Sequence, residues 1–196
     1  RQHSRGVPDK ALRTVQGVPL ALHTLRSIQA SGIANRIVVS TDWPELRDFC
    51  ELRGYETITR PAELAADDVP LIDVVRHAVK ELEWEQPVAL FQPTCPLLKS
   101  DTIKRVVAEW QESGLDWAIT ATDCEHIHWG QDGPIEDRVN RQFRQATKRE
   151  SGAIQLFTAA RAWGAGGDHG LISIPAREAL DIDTPADLLL AERLAS

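Results

Sequence analysis

The sequence predicts an α/β domain: a mainly parallel sheet with helices on both faces. Short β-branched runs alternate with amphipathic stretches along the chain. The runs are continuously apolar rather than alternating, as in strands buried on both faces. Helix-opening residues follow them after short turns, which suits repeated strand–helix units with right-handed crossovers. A chain of 196 residues suits one well-buried domain, and the reading assigns all of residues 1–196 to it.

The elements follow in order. Pro19 to Ala30 carries Leu20, Leu22, Leu25 and Ile28 near one face and reads as a helix. Arg36 to Ser40 reads as a buried strand. Asp42 with Glu45 three residues on is a capping-box signal, and Pro44 suits the first turn of a helix running to Arg53, with Gly54 ending it. Ile72 to Leu82 is the next helix and Pro87 to Phe91 the next strand. Asp101 to Glu112 is a helix capped by Ser100 or Asp101, and Leu115 to Ala121 is a strand. Thr122 to about Arg149 shows no clear period and reads as a loop. Gly152 to Phe157 is a strand, Thr158 to Trp163 a short helix and Leu171 to Ile174 a short strand. Thr184, Pro185 and Asp187 stand at N-cap, N1 and N3 of a last helix running to Leu194.

Composition narrows the function. No apolar run approaches the ~18 residues of a membrane span, and no signal-peptide pattern is present, so the expectation is a cytoplasmic protein without membrane partners. The net charge of −7 argues against coating nucleic acid and leaves room for a single nucleotide in a local basic pocket. Cys50, Cys95 and Cys124 are scattered and odd in number, which suits buried thiols in a reducing compartment.

Ligands in such sheets sit beyond the carboxyl ends of strands. That rule selects Ser40-Thr41-Asp42, Gln92-Pro93-Thr94, and Asp181 with Asp183. Asp181 and Asp183 are two apart, so in extended backbone both carboxylates share a face. Two carboxylates with phosphate oxygens are a usual Mg²⁺ site; the alternative is that Asp183 only helps cap the last helix. The segment Arg1-Gln2-His3-Ser4-Arg5-Gly6-Val7-Pro8-Asp9-Lys10-Ala11 is a basic, small-residue stretch without apolar period. It reads as a polyphosphate-wrapping loop or as a disordered basic end. A phosphate loop normally follows a strand, so an upstream strand is expected beyond this sequence. Arg141, Gln142, Arg144, Lys148 and Arg149 form a basic cluster that is either an anion site or a solvated loop. His126-x-His128 has metal-ligand spacing, but exposed loop histidines are commoner.

Taken together, these motifs resemble the CMP-sialic acid synthetase (acylneuraminate cytidylyltransferase) family. The first eleven residues resemble its R-x-x-S-[KR]-G-[IL]-P-x-K-N signature, with Val7 at the Ile/Leu position and Ala11 at the last. In order follow Val39-Ser40-Thr41-Asp42, Arg60-Pro61-Ala62-Glu63-Leu64, Ile72-Asp73-Val74-Val75 before His77-Ala78, and Gln92-Pro93-Thr94-Cys95-Pro96-Leu97. Arg141-Gln142, Arg149 with Gly152-Ala153-Ile154, and Asp181-Ile182-Asp183-Thr184 complete the set. The chain departs from the pattern at Ala11, at Pro70-Leu71 and at Ser151, where the family carries Asn, serines and Asn.

The resemblance implies a Rossmann-like, nucleotide-diphospho-sugar-transferase fold. It implies a Mg²⁺-dependent transfer of CMP from CTP to a nine-carbon 2-keto sugar acid, with Arg1, Lys10, Asp181 and Asp183 as catalytic residues. Nucleotide would be bound by Arg1, Gln2, Ser4, Arg5, Gly6, Lys10, Ala11, Arg60 and Leu71, and the sugar by Gln92, Arg141, Gln142 and Arg149. Asp181 and Asp183 would hold the metal. Residues 123–149 would lie in a dimerisation region, so a homodimer is expected. Two rivals stand: the same chemistry with another nucleotide or with legionaminate, pseudaminate or KDO, and a degenerate nucleotide-sugar-binding module without catalysis.

Overall fold

The computed structural model describes residues 6–124, 129–130, 133–134 and 147–196. A 3₁₀ turn, Lys10–Leu12, leads into a hairpin of β1 (Thr14–Val15) and β2 (Val18–Pro19). Gln16 and Gly17, both at positive φ, make its two-residue turn. Then come α1 (Leu20–Ser31), β3 (Val38–Thr41), α2 (Pro44–Glu51) and β4 (Glu56–Thr59). A second 3₁₀ turn, Ala62–Ala65, precedes α3 (Leu71–Glu81), β5 (Val88–Phe91), α4 (Ser100–Ser113) and β6 (Trp117–Cys124). The short pair β7 (Trp129–Gly130) and β8 (Gly133–Pro134) is followed by β9 (Thr147–Phe157), α5 (Ala159–Ala162), β10 (His169–Ser173) and α6 (Pro185–Ala195).

Four strands form one sheet in the order β10-β6-β9-β5. β10 runs parallel to β6, while β9 is antiparallel to both β6 and β5, so three of the four strands point the same way. β3 and β4 pair in parallel as a separate ribbon. Helices cover both faces of the larger sheet. On one side Ile28 of α1 and Ile103, Val106 and Trp110 of α4 pack on Ala118, Leu156 and Ile172; on the other, Val75 and Val79 of α3 pack with Phe157 and Ala162. Each of these large apolar side chains contributes about 1.5–3 kcal/mol by leaving water.

The expected fold class is present, with differences at particular elements. The strand expected from Gly152 begins at Thr147, and the strand expected to end at Ala121 continues to Cys124, so these two arms replace the ends of the expected loop. The β1–β2 hairpin and β4 were not expected. Asp42 does not cap α2. Trp43 occupies the N-cap position, and its N–H donates to Thr41 Oγ1 at 3.1 Å.

Between Ile119 and Ala121 the register of β9 shifts. Ile119 faces Gln155 and Ala121 faces Glu150, so residues 151–154 stand opposite Thr120 alone. Such a bulge leaves backbone groups without ladder partners, and two buried hydroxyls supply them. Thr120 Oγ1 accepts from the Ile154 N–H at 3.0 Å, and Ser151 Oγ donates to the Thr120 carbonyl at 3.0 Å.

The last helix opens as the sequence predicts. Thr184 Oγ1 accepts from the Asp187 N–H, and the Asp187 carboxylate accepts from the Thr184 N–H at 2.7 Å, which completes a capping box. Replacing the cap, Thr184→Ala, should cost about 1 kcal/mol. A lowered urea midpoint with unchanged slope is the expected reading; an unchanged midpoint would show that the cap contributes nothing.

Candidate active site

Past the carboxyl end of β5 the chain turns through Gln92-Pro93-Thr94, and the Thr94 carbonyl accepts from the Ile182 N–H at 2.9 Å. Ile182 is fully buried among Val7, Val15, Leu20 and Ala191, which pins the middle of the Asp181-Ile182-Asp183 run. The flanking aspartates are thereby turned outward together. Both line a polar cleft of about 340 Å³ with Arg149, Glu150, Ser151 and Asp187.

The pair is asymmetric. Asp183 is open, 72% exposed at its side chain, and its Oδ1 accepts from Lys10 Nζ at 2.9 Å, while Lys10 itself is only 13% exposed. Asp181 is half-buried, and burial raises its pKa above the ordinary carboxylate value. The nearby Asp183 charge adds to the rise, while the Thr94 hydroxyl and Lys10 oppose it. Thr94 lies beside Asp181 and favours its charged form without meeting hydrogen-bond geometry, so Asp181 Oδ1 is buried with no partner among the described residues.

Three neighbours hold this geometry. Asp187 Oδ2 accepts from the Asp183 N–H at 3.1 Å as well as from Thr184. The Thr184 hydroxyl bond, first among several, keeps the Asp187 carboxyl below its ordinary value. Gly6 lies so close to this segment that a methyl built on it would overlap the Asp183 carbonyl oxygen. Gly152, at φ 67°, takes a left-handed conformation in the β9 bulge, and a Cβ there would sit 3.4 Å from both Asp181 Oδ2 and Gln92 Nε2. Gln92, Gly152 and Asp181 are therefore neighbours. Beneath them, Cys95 is buried and its thiol is pushed up to about 12, first by burial and then by Asp181, so it stays protonated at neutral pH.

The other expected residues fall into three groups. Arg149 reaches the polar cleft. Arg60, Ala11 and Leu71 lie elsewhere. Arg60 Nε and Nη2 donate to Ser40 Oγ (3.2 Å) and the Ser40 carbonyl (2.7 Å) at the end of β3. Ala11 is buried with Trp43, Leu46 and Cys50, and Leu71 is exposed at the first turn of α3. Arg1, Gln2, Ser4, Arg5, Arg141 and Gln142, with His126 and His128, lie outside the described residues. Sequence reasoning missed Glu150 on the cleft and saw Asp187 only as a helix cap. The capping box was the signal for Asp187, since its carboxylate had to turn back towards Asp183.

The donor set fits a hard, oxygen-seeking cation. Mg²⁺ takes one or two carboxylates and completes its shell with substrate phosphates and water. The unpartnered Asp181 Oδ1, beside Asp183, offers that arrangement. Among the described residues no group of three or more His, Cys, Asp or Glu could hold a metal by itself, so ligand oxygens would have to finish the shell.

Two outcomes test this geometry. Gly6→Ala should cost about 1–3 kcal/mol through overpacking against Asp183; unchanged thermal stability would show that Gly6 is not confined there. Asp181 binds its proton more tightly when folded than when unfolded. Its effect on stability therefore turns unfavourable as pH rises from the ordinary aspartate value through the raised one, and is relieved as pH falls back. Asp181→Asn should raise the melting temperature at neutral pH and flatten this limb of the stability–pH profile. A variant no more stable than its parent would contradict the burial cost.

The profile of the cytidylyltransferase family matches residues 1–133. The N-acylneuraminate cytidylyltransferase of Streptococcus agalactiae serotype V is 31% identical over 127 residues, covering 64% of this chain and 31% of that protein. The matched part of the chain thus spans under a third of the length of that relative. CMP-N,N'-diacetyllegionaminic acid synthase of Legionella pneumophila is 25% identical over 214 residues, covering 99% of this chain and 92% of that one. Among solved structures, CMP:2-keto-3-deoxy-manno-octonic acid synthetase complexed with CTP superposes with a TM-score of 0.74 at 13% identity, covering 99% of this chain and 94% of that chain, which shows a shared fold. The match over two-thirds of the sequence and the shared fold agree with the resemblance of its motifs: the chain belongs to the cytidylyltransferase family.

Proposed function

We propose that the protein transfers CMP from CTP to a sialic-acid-like, nine-carbon 2-keto sugar acid, with Mg²⁺ as cofactor. The observation that carries this reading is the polar cleft itself. It gathers a carboxylate pair and Arg149, with Lys10 bonded to Asp183, in a chain of the cytidylyltransferase family.

In this reading the anomeric hydroxyl oxygen of the sugar acid bonds to the α-phosphorus of CTP and its proton is released. The bond from that phosphorus to the bridging oxygen of the β-phosphate breaks, and pyrophosphate leaves. Negative charge is already high on the triphosphate, so catalysis needs fixed positive groups and close approach. Lys10, largely shielded beside the cleft, supplies an ammonium to phosphate oxygens. The absence of a side chain at Gly6 lets backbone come close to the aspartate segment. Asp181 and Asp183 would hold Mg²⁺, which when bound offsets phosphate charge. Arg149 suits the sugar carboxylate through its paired N–H groups, and Gln92 offers both a donor and an acceptor beside Asp181. Arg1, Gln2, Ser4 and Arg5, with Arg60, would complete the nucleotide contacts, and Arg141 with Gln142 those to the sugar.

The legionaminate-type acids are the second reading, because the Legionella synthase is matched over 92% of its length. A pyrophosphate-release assay with each nucleoside triphosphate against a panel of keto-sugar acids separates the two. Release with CTP and a nonulosonate, lost on omitting Mg²⁺, is expected. Asp183→Ala should lower turnover by about 10³-fold or more with the fold intact, because it removes one of the two carboxylates that would hold Mg²⁺. Surviving activity would overturn the metal assignment. No release with any pair would favour a non-catalytic nucleotide-sugar-binding module.

A further inference from the structure

The four-stranded sheet ends on one side at β10, which pairs with β6 and with no other strand among the described residues. The direction of its backbone groups follows from the ladder. The Trp117 N–H donates to the Asp168 carbonyl at 3.2 Å, and the Ile174 N–H donates to the Ala121 carbonyl at 2.8 Å. Residues bonded to one neighbour in a parallel ladder are two apart, so Asp168, Gly170, Ile172 and Ile174 face β6. His169, Leu171 and Ser173 therefore turn their N–H and C=O groups away from the sheet. The Ser173 carbonyl shows this direction, because it accepts from Arg105 Nη2 at 2.7 Å.

Nothing along β10 guards this edge. Sheet edges that stay single usually carry a charge, a proline or a bulge. His169-Gly170-Leu171-Ile172-Ser173 has no Lys, Arg, Asp, Glu or Pro, and its register on β6 runs unbroken. By contrast β4, which borders the smaller ribbon, carries Glu56 bonded to Arg36. Leu171 is 55% exposed, the one large apolar strand side chain so open among the described residues. Its register partner on β6 is the half-buried Ile119, and beside them His169 stacks on Trp117 with ring centroids 5.1 Å apart. An apolar strip and an open backbone row thus share one edge.

We infer that β10 pairs antiparallel with β10 of a second copy of this chain, about a two-fold axis at Leu171, so that one sheet runs through both copies. The outward row is its own complement. With Leu171 opposite Leu171 of the partner subunit, His169 stands opposite Ser173 of the partner subunit, and every facing pair is of the hydrogen-bonded kind. The exposed leucines then meet on one face of the joined sheet. Charge selects the antiparallel direction. Asp116 and Asp168 stand at the amino end of β10, where the Asp168 N–H bonds the Asp116 carboxylate at 3.0 Å. At the carboxyl end Arg105 and Lys148 both reach Ser173, and Glu109 and Asp123 balance them. Antiparallel pairing lays each acidic end on a balanced one, whereas parallel pairing would lay acid on acid. This edge is a different surface from residues 123–149, and the pairing does not depend on the proposed reaction.

The test compares the full chain with Leu171→Lys, Leu171→Cys and, as a control, Leu189→Cys, which is also exposed but lies on α6. Sedimentation equilibrium reads the dissociation constant of the dimer. Leu171→Lys sets like charges opposite each other across the axis and should weaken association at least about tenfold. Under mild oxidation Leu171→Cys should cross-link into a dimer, because a hydrogen-bonded antiparallel pair holds its Cα atoms about 5.5 Å apart, within reach of a disulfide. Leu189→Cys should not, and the native Cys50, Cys95 and Cys124 are buried. Raising the protein concentration should slow hydrogen exchange at the Leu171 and Ser173 amides and leave Gly170 and Ile172 unchanged. If Leu171→Lys fails to fold, cross-linking at position 171 and the exchange pattern decide. A monomer at every concentration, a dimer that Leu171→Lys leaves as tight, or cross-linking no greater at position 171 than at position 189 would each overturn the pairing.

Discussion

The immobility of three residues, Asp181 to Asp183, is the constraint on which the rest of the site depends. Ile182 is buried and its N–H is held by the Thr94 carbonyl, so the run cannot rotate. Asp187 grips the amides of Asp183 and Thr184 from the helix side. Gly6 presses on the Asp183 carbonyl, and Lys10 holds its carboxylate. Elements from both ends of the chain and from its middle thus converge on one short segment. A carboxylate pair is useful only if its separation is fixed, and here the backbone, more than the side chains, fixes it.

The burial of Asp181 has a cost that the surroundings only partly offset. Thr94 and Lys10 favour the charged form, yet burial dominates. The β9 bulge contributes to this environment. By taking up residues 151–154 it brings Gly152 against Asp181 and Gln92 and carries Arg149 to the same cleft. Its hydroxyl-filled interior shows that the distortion is stably built, since buried polar groups left without partners would undo it.

Much of this was legible in the sequence wherever the cause is local. Thr184, Pro185 and Asp187 declare their helix start through chemistry within four residues, and the spacing of Asp181 and Asp183 declares a shared face. What could not be read depends on distant residues. The early start of β9 was hidden because the bulge at Ser151 to Ile154 breaks the period of two. β4, Glu-Thr-Ile-Thr, has too little apolar character to announce a strand, and its pairing comes from β3. Asp42 looked like a cap because its spacing from Glu45 is right, but Thr41 bonds the Trp43 amide instead. The bond from Lys10 to Asp183 spans 173 residues of sequence and follows from the fold alone.

In the proposed reaction that bond would also couple two binding events. Lys10 and Asp183 occupy each other, so neither is a free charge. An anion arriving alone must draw the ammonium away and strand a carboxylate; a cation arriving alone must strand an ammonium. Arriving together, each takes one member of the pair and leaves nothing unpaired. In the proposed reaction the ion pair would thus make the two ligands reciprocal effectors, each improving the other's affinity by the same factor.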